Sequence, residues 1–159
     1  MSSNLNHPPG QVIQQLLIDL GHGTALSAAG ATTGTWPVYY GTLPDSPDNA
    51  ICVTDTEPMQ HGRDMVVGQR CEHPGFQVLV RCDNIVSGYI KAQDIAVALD
   101  KDVYQETVLL DGNTYSIQAV TRTSGVFSIG LEIGSTRRRL YSVNATASLC
   151  MTDETGTAS

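Results

Sequence analysis

The sequence predicts an α+β fold: two helices packed on a largely antiparallel β-sheet of about six strands, with an extended C-terminal β-hairpin. Three observations carry that prediction. Two segments, 9–20 and 85–99, repeat apolar residues at helical spacing. Several others alternate apolar and polar residues with the period of two that puts one face of a strand inward. Everything after the second helical segment reads as strand and turn, which suits helices laid on an antiparallel sheet.

The elements follow in order. Ile13, Leu16, Leu17 and Leu20 fall at i, i+3, i+4 and i+7, while Pro9 suits a first helical turn and Gly21 a stop. Residues 21–35 hold mostly Gly, Ala, Thr and Ser and read as a mobile connector. Gly21-x-Gly23 is no phosphate loop, because it leaves a helix rather than a strand and lacks Gly-Lys-Ser/Thr. Trp36 to Tyr40 and Ala50 to Thr54 read as strands around the turn formers Leu43 to Asn49. Residues 57–74 are polar, contain two glycines and read as a projecting loop. Phe76, Val78, Val80 and Cys82 alternate as a strand. Ile85, Tyr89, Ala92, Ala96 and Leu99 then form a helical stripe.

Asp111-Gly112-Asn113 sits between two β-rich runs, a strong hairpin signal. Phe127, Ile129, Leu131 and Ile133 alternate. A last strand from about Arg137 to Leu149 puts Tyr141, Val143, Ala145, Ala147 and Leu149 on one face. Such a strand would exceed 40 Å, roughly 3.3 Å per residue, so part of it is expected outside the subunit's core, against a neighbour. The domain expectation is a flexible 1–8, one α+β domain over 9–150 and a disordered tail over 151–159.

Composition narrows the function. A chain of 159 residues makes a single domain and buries roughly 70% of its unfolded surface without staples. With 41% hydrophobic and 16% charged residues it is not a disordered polyelectrolyte. No apolar run approaches the roughly 18 residues of a membrane span. Met1 to His7 show neither a basic n-region nor an apolar h-region, so the expectation is a protein kept in a cytoplasm. Nine Lys and Arg against 16 Asp and Glu leave a net charge of −7, which argues against gripping a phosphate backbone. Arg137-Arg138-Arg139 reads as a solvated strand end, with a subunit contact as the second reading.

Chemistry is hard to find. Cys52, Cys71, Cys82 and Cys150 include no Cys-x-x-Cys, and Cys52 and Cys82 read as small core residues. A zinc site from His61, Cys71 and His73 would lack a fourth ligand, and a Cys71–His73 pair would lack an orienting third group. No Gly-x-Ser-x-Gly is present, and Asp100 and Asp102 sit at a helix exit where solvated charge is the plainer reading. No catalytic, cofactor-binding or metal-binding residue is expected. The competing class is a small cytoplasmic enzyme or ligand-binding domain with 57–74 as its lid.

The run Leu43-Pro44-Asp45-Ser46-Pro47-Asp48-Asn49-Ala50-Ile51-Cys52-Val53, a polar loop, then Pro74-Gly75-Phe76-Gln77-Val78-Leu79-Val80-Arg81 and the helix Tyr89 to Leu99 resemble bacteriophage tail terminator proteins, also described as tail completion or minor capsid proteins. The likeness covers residues 9–133; the 21–35 connector and the long last strand have no counterpart in it. It implies a virion protein of tail or neck, assembled in the host cytoplasm. Its subunits would form a ring, hexameric in most of the family, on the head-proximal end of the tail tube. Its partners would be itself, the tube protein and the head–tail connector, with DNA passing through the lumen unbound. In that role Arg63, Met65, Val66, Val67 and Arg70 of the loop, with Arg137, Arg139 and Tyr141, are the expected oligomer and tube contacts. Another neck or tail-tube component is the nearest alternative.

Overall fold

The computed structural model describes residues 7–24, 36–45, 48–56, 70–135 and 137–152. Its elements are α1 (Pro9–Asp19), β1 (Val38–Tyr40), β2 (Ala50–Thr56), β3 (Arg70–Glu72), β4 (Gly75–Cys82), α2 (Ile85–Lys101), β5 (Tyr104–Leu110), β6 (Asn113–Arg122), β7 (Phe127–Leu131) and β8 (Arg139–Thr152). The α+β expectation holds: two helices lie on one sheet that is antiparallel except where β1 meets β2. Two differences concern boundaries. Residues 70–72, read as loop, join the sheet, and β8 runs to Thr152 rather than ending before the tail.

The strand order is β1-β2-β4-β8-β6-β5, with β3 and β7 also paired to β8. β8 is therefore the spine. Along one edge it meets β4 over residues 139–146 and then β3 over 149–151. Along the other it meets β7 over 139–142 and then β6 over 145–152. The expectation that part of this strand reaches a neighbour is thus corrected: its own chain covers both edges. Its inward face is as the alternation predicted, with Tyr141, Val143, Ala145, Ala147 and Leu149 all buried.

α1 touches β1 and β2 at one end of the strand order and β5 at the other, so the sheet curls around it. Val12, Ile13, Leu16 and Leu17 fill the interior of that curl. The helix is tied at its start, where Gly10 N–H donates to Asp55 Oδ1 at 2.6 Å, and on its flank, where Gln14 Nε2 donates to Val38 O at 2.8 Å. A carboxylate at a helix N-terminus meets free N–H groups and the positive end of the helix dipole.

α2 starts at Asn84, whose Oδ1 accepts from Val86 N at 3.0 Å and Ser87 N at 3.2 Å, a side-chain cap. Its buried stripe is Gly88, Ala92, Ile95, Ala96 and Leu99. Ile85 and Tyr89, read from the spacing as part of that stripe, are 49% and 47% exposed. Gly88 explains the rotation: a Cβ there would lie 2.1 Å from Cys82 Sγ and 3.2 Å from the Tyr141 ring. The closest approach to the sheet belongs to the residue with no side chain, which turns its neighbour Tyr89 aside.

The alternation read over 127–133 is likewise corrected. The register slips between Ser128 and Gly130, and Gly130 takes φ +106°. A bulge of this kind reverses which side chains face inward. Phe127, Ile129 and Leu131 are 45–48% exposed and Ile133 lies wholly in solvent.

Candidate assembly surface

The expected contact residues do not converge. Arg63, Met65, Val66 and Val67 lie outside the described residues, and Arg70 opens β3. Tyr141 is only 6% exposed; its hydroxyl donates to Ile85 O at 3.2 Å and its ring meets Tyr89 edge to face, with centroids 6.0 Å apart. It holds α2 on the sheet instead of facing a partner. Arg137 and Arg138 are engaged within the subunit. Arg137 Nη1 meets Asp48 Oδ2 at 2.5 Å, and Arg138 meets Glu132 Oε1 at 3.0 Å, with Asp48 and Asp45 at 3.8 and 3.9 Å. Only Arg139, half-buried at the start of β8, has no ion-pair partner among the described residues.

The arginine run therefore straps the turn before β8 to the loop before β2. The hydrogen bond from Arg137 holds the Asp48 carboxyl below its ordinary range, so this strap stays charged in mild acid. A third cation, not foreseen as part of the cluster, completes it. Arg81 is 1% exposed; its Nη1 lies 3.2 Å from Glu132 Oε2 and its Nε donates to Asp48 O, also at 3.2 Å. Asp45 and Asp48, read as turn residues by type, supply the carboxylates that face Arg137 and Arg138, and Asp48 also lends Arg81 its backbone carbonyl.

Large apolar residues are also exposed. Ile85, Val86, Tyr89 and Ile90 stand out from the first two turns of α2, each 47–65% exposed. Beside them runs β7, whose Ser128 is opposite Tyr141 in the ladder and whose outer edge pairs with no described strand. Neither Ile85 to Ile90 nor Phe127 to Leu131 contains a charged residue. The exposed apolar residues of α2 and the unpaired edge of β7 are features that proteins use for contact. At the opposite end of α2, Tyr104 and Leu109 of β5 are 73% and 64% exposed. The period of α2 could have shown its apolar outer face, since residues 85, 86, 89 and 90 are all large and apolar.

Four described groups could in principle take part in chemistry: Cys52, Cys82, Cys150 and His22. Cys52 and Cys82 are free and buried, and burial pushes the Cys52 thiol up to about 11 and that of Cys82 in the same direction. Cys150 is disulfide-bonded, and Cys71 stands opposite it in the β3–β8 ladder. Burial, then the charge of Lys91, lowers the His22 pKa; Lys91 itself lies 5.8 Å from the Trp36 ring centroid. Among the described residues no three His, Cys, Asp or Glu come together where a metal could sit, and no helix is long and apolar enough to cross a membrane.

Of three comparisons with known proteins, one bears on the chain's family. No curated protein matches the chain. A solved structure with 16% sequence identity covers 90% of this chain and 95% of its own at a TM-score of 0.43, too loose a likeness to carry an argument. The model of the bacteriophage tail terminator proteins matches residues 16–150. That span runs from the middle of α1 into the end of β8, and takes in both segments that the resemblance had left without a counterpart. The chain belongs to the bacteriophage tail terminator family.

Proposed function

We propose that this chain is the repeating subunit of a ring, a hexamer, that caps the head-proximal end of a phage tail tube, stops its elongation and offers the surface on which the head connector docks. The family match over residues 16–150 is the observation that carries the reading. A ring needs a contact between two different surfaces whose rotation closes. The exposed apolar residues at the two ends of α2 supply surfaces of that kind. The net charge of −7 suits a lumen through which DNA must pass without adhering. Residues 57–69, with Arg63, Met65, Val66 and Val67, together with Arg70, are proposed to contact the tube protein or an adjacent subunit.

The test is a tube-elongation assay with the tube protein of the same phage. Added subunit is expected to shorten the length distribution and leave ends that join to heads. Tubes that grow to the same lengths with and without it would remove the proposal. Deleting residues 60–69 is expected to keep the fold and abolish capping; normal head joining by that variant would exclude the loop from the contact.

A further inference from the structure

We propose that Cys71 and Cys150 form a redox staple, two thiols in reducing surroundings and one disulfide in oxidising ones, whose closure fixes β3 to β8. The chain has four cysteines, and the ladders sort them. Cys52 and Cys82 are free and buried; Cys52 stands opposite Tyr39 and Leu79, and Cys82 opposite Arg139. Cys150 is disulfide-bonded, and the residue across from it in β3 is Cys71. Directly opposed residues of an antiparallel pair share a face and have Cα atoms roughly 4.5 to 5.5 Å apart, within the span that a disulfide bridges. Burial keeps the other two thiols protonated, that of Cys52 pushed up to about 11, so they do not compete in exchange.

β3 is the strand that needs such a bond. It has three residues, lies off the main strand order and pairs with β8 alone among the described strands. So short a ladder opens at small cost unless something else holds it. Ala147 N–H donates to Pro74 O at 2.9 Å, which ties the chain after β3 but not β3 itself. Cys150 is fully buried, with Ser116 of β6 on its other side, so a reagent reaches its sulfur when β3 lifts. Closure is an exchange with a small disulfide. One protein thiolate attacks it and expels the first thiol; the second attacks the mixed disulfide and expels the other. The protein loses two electrons and two protons, and the small disulfide takes up both to become two thiols. A bacterial cytosol keeps thiols reduced and the medium outside oxidises them. A virion subunit is made in the first and used in the second, so β3 is free to lift during synthesis and is fixed afterwards. That order of events rests on the proposed function; the staple does not.

The test compares the native chain in oxidised glutathione and in excess dithiothreitol. Alkylation in denaturant followed by peptide mapping is expected to show Cys71 linked to Cys150 in the first and both alkylated in the second. Linkage to Cys52 or Cys82, or free thiols in both, would overturn the pairing. Hydrogen exchange reads the consequence. Amides of Arg70, Cys71 and Glu72 are expected to exchange about tenfold faster or more in the reduced chain, with those of β4 and β6 unchanged, as local opening of a short edge strand requires. Equal rates in the two forms would overturn the staple as the holder of β3. Cys71→Ala, which leaves Cys150 without a partner, is expected to give the fast exchange in both solutions; a difference that persists in this variant would assign the effect to the reagents. Alkylation at the moment of lysis of bacteria making the chain is expected to find both thiols reduced. A bond already closed inside the cell would overturn the switch and leave a permanent cross-link, whatever the outcome of the tube-elongation assay.

Discussion

Arg81 is a guanidinium with 1% of its surface in solvent, and its place in the sheet depends on acids and carbonyls supplied by distant segments. Removing one partner of a buried ion pair leaves the other charge desolvated and unmatched, at a cost of about 3 kcal/mol or more. Glu132→Ala is therefore expected to lower the free energy of unfolding in urea by about 3 kcal/mol. Joint replacement of Arg81 by Met and Glu132 by Leu should recover most of that loss; equal losses in the two proteins would mean that burial of the charge is not the cause. Nothing in the β4 alternation marks Arg81 as buried, since period two places it on the outer face with Gln77 and Leu79. Its cover comes from residues 33 and 51 positions away, beyond any local pattern. A second residue carries a pH signature. Burial, and then the hydrogen bond it donates to Asp55, push the Tyr40 hydroxyl up from 10.0 to about 12. The folded chain holds that proton where the unfolded chain loses it, so its stabilising contribution is whole below pH 10 and disappears between about 10 and 12. The melting temperature should fall across that window, and less steeply in Tyr40→Phe; identical slopes would assign the fall to other groups.

The elements most legible in the sequence were those whose partners impose a single period. α1, β4, the β5–β6 hairpin and the inward face of β8 appear where spacing and turn residues place them. The failures came where one small residue reset the phase. Gly88 let α2 approach Cys82 and Tyr141, and Gly130 allowed the bulge that turned β7 outward. Apolar spacing alone cannot weigh such a contact, because a glycine has no hydrophobicity to register. The same reset created the candidate surface: Ile85 and Tyr89, counted as core, became its members. Gly88→Ala gives a direct measure. In an exposed helix the change would stabilise by roughly 1 kcal/mol. Here the new methyl meets a buried thiol at 2.1 Å, and the expected result is a loss of about 1–3 kcal/mol from overpacking. A more stable Gly88→Ala protein would show that α2 sits farther from β4 than described.

At the scale of the molecule, β8 is the only described strand that pairs with both long flanking runs, 70–82 and 113–131. A chain cut after Thr146 keeps the β4 and β7 ladders but loses β3 altogether and most of the β6 register. Such a fragment is expected to show no cooperative thermal transition, whereas a chain ending after Thr152 should melt as the native one does; a cooperative melt for the shorter fragment would mean that the spine is dispensable. The candidate surface depends on the same strand, since Tyr141, which holds α2, belongs to it and β5 pairs in the sheet only with β6. β8 also leaves the ribosome after every strand that it pairs with. Until it has left the exit tunnel, two long strands wait without a common partner, and the subunit cannot present a finished surface. A chain that stops before β8 is then unable to enter an assembly as a defective member. Synthesis of β8 becomes a condition for assembly, enforced by the order of strands along the gene.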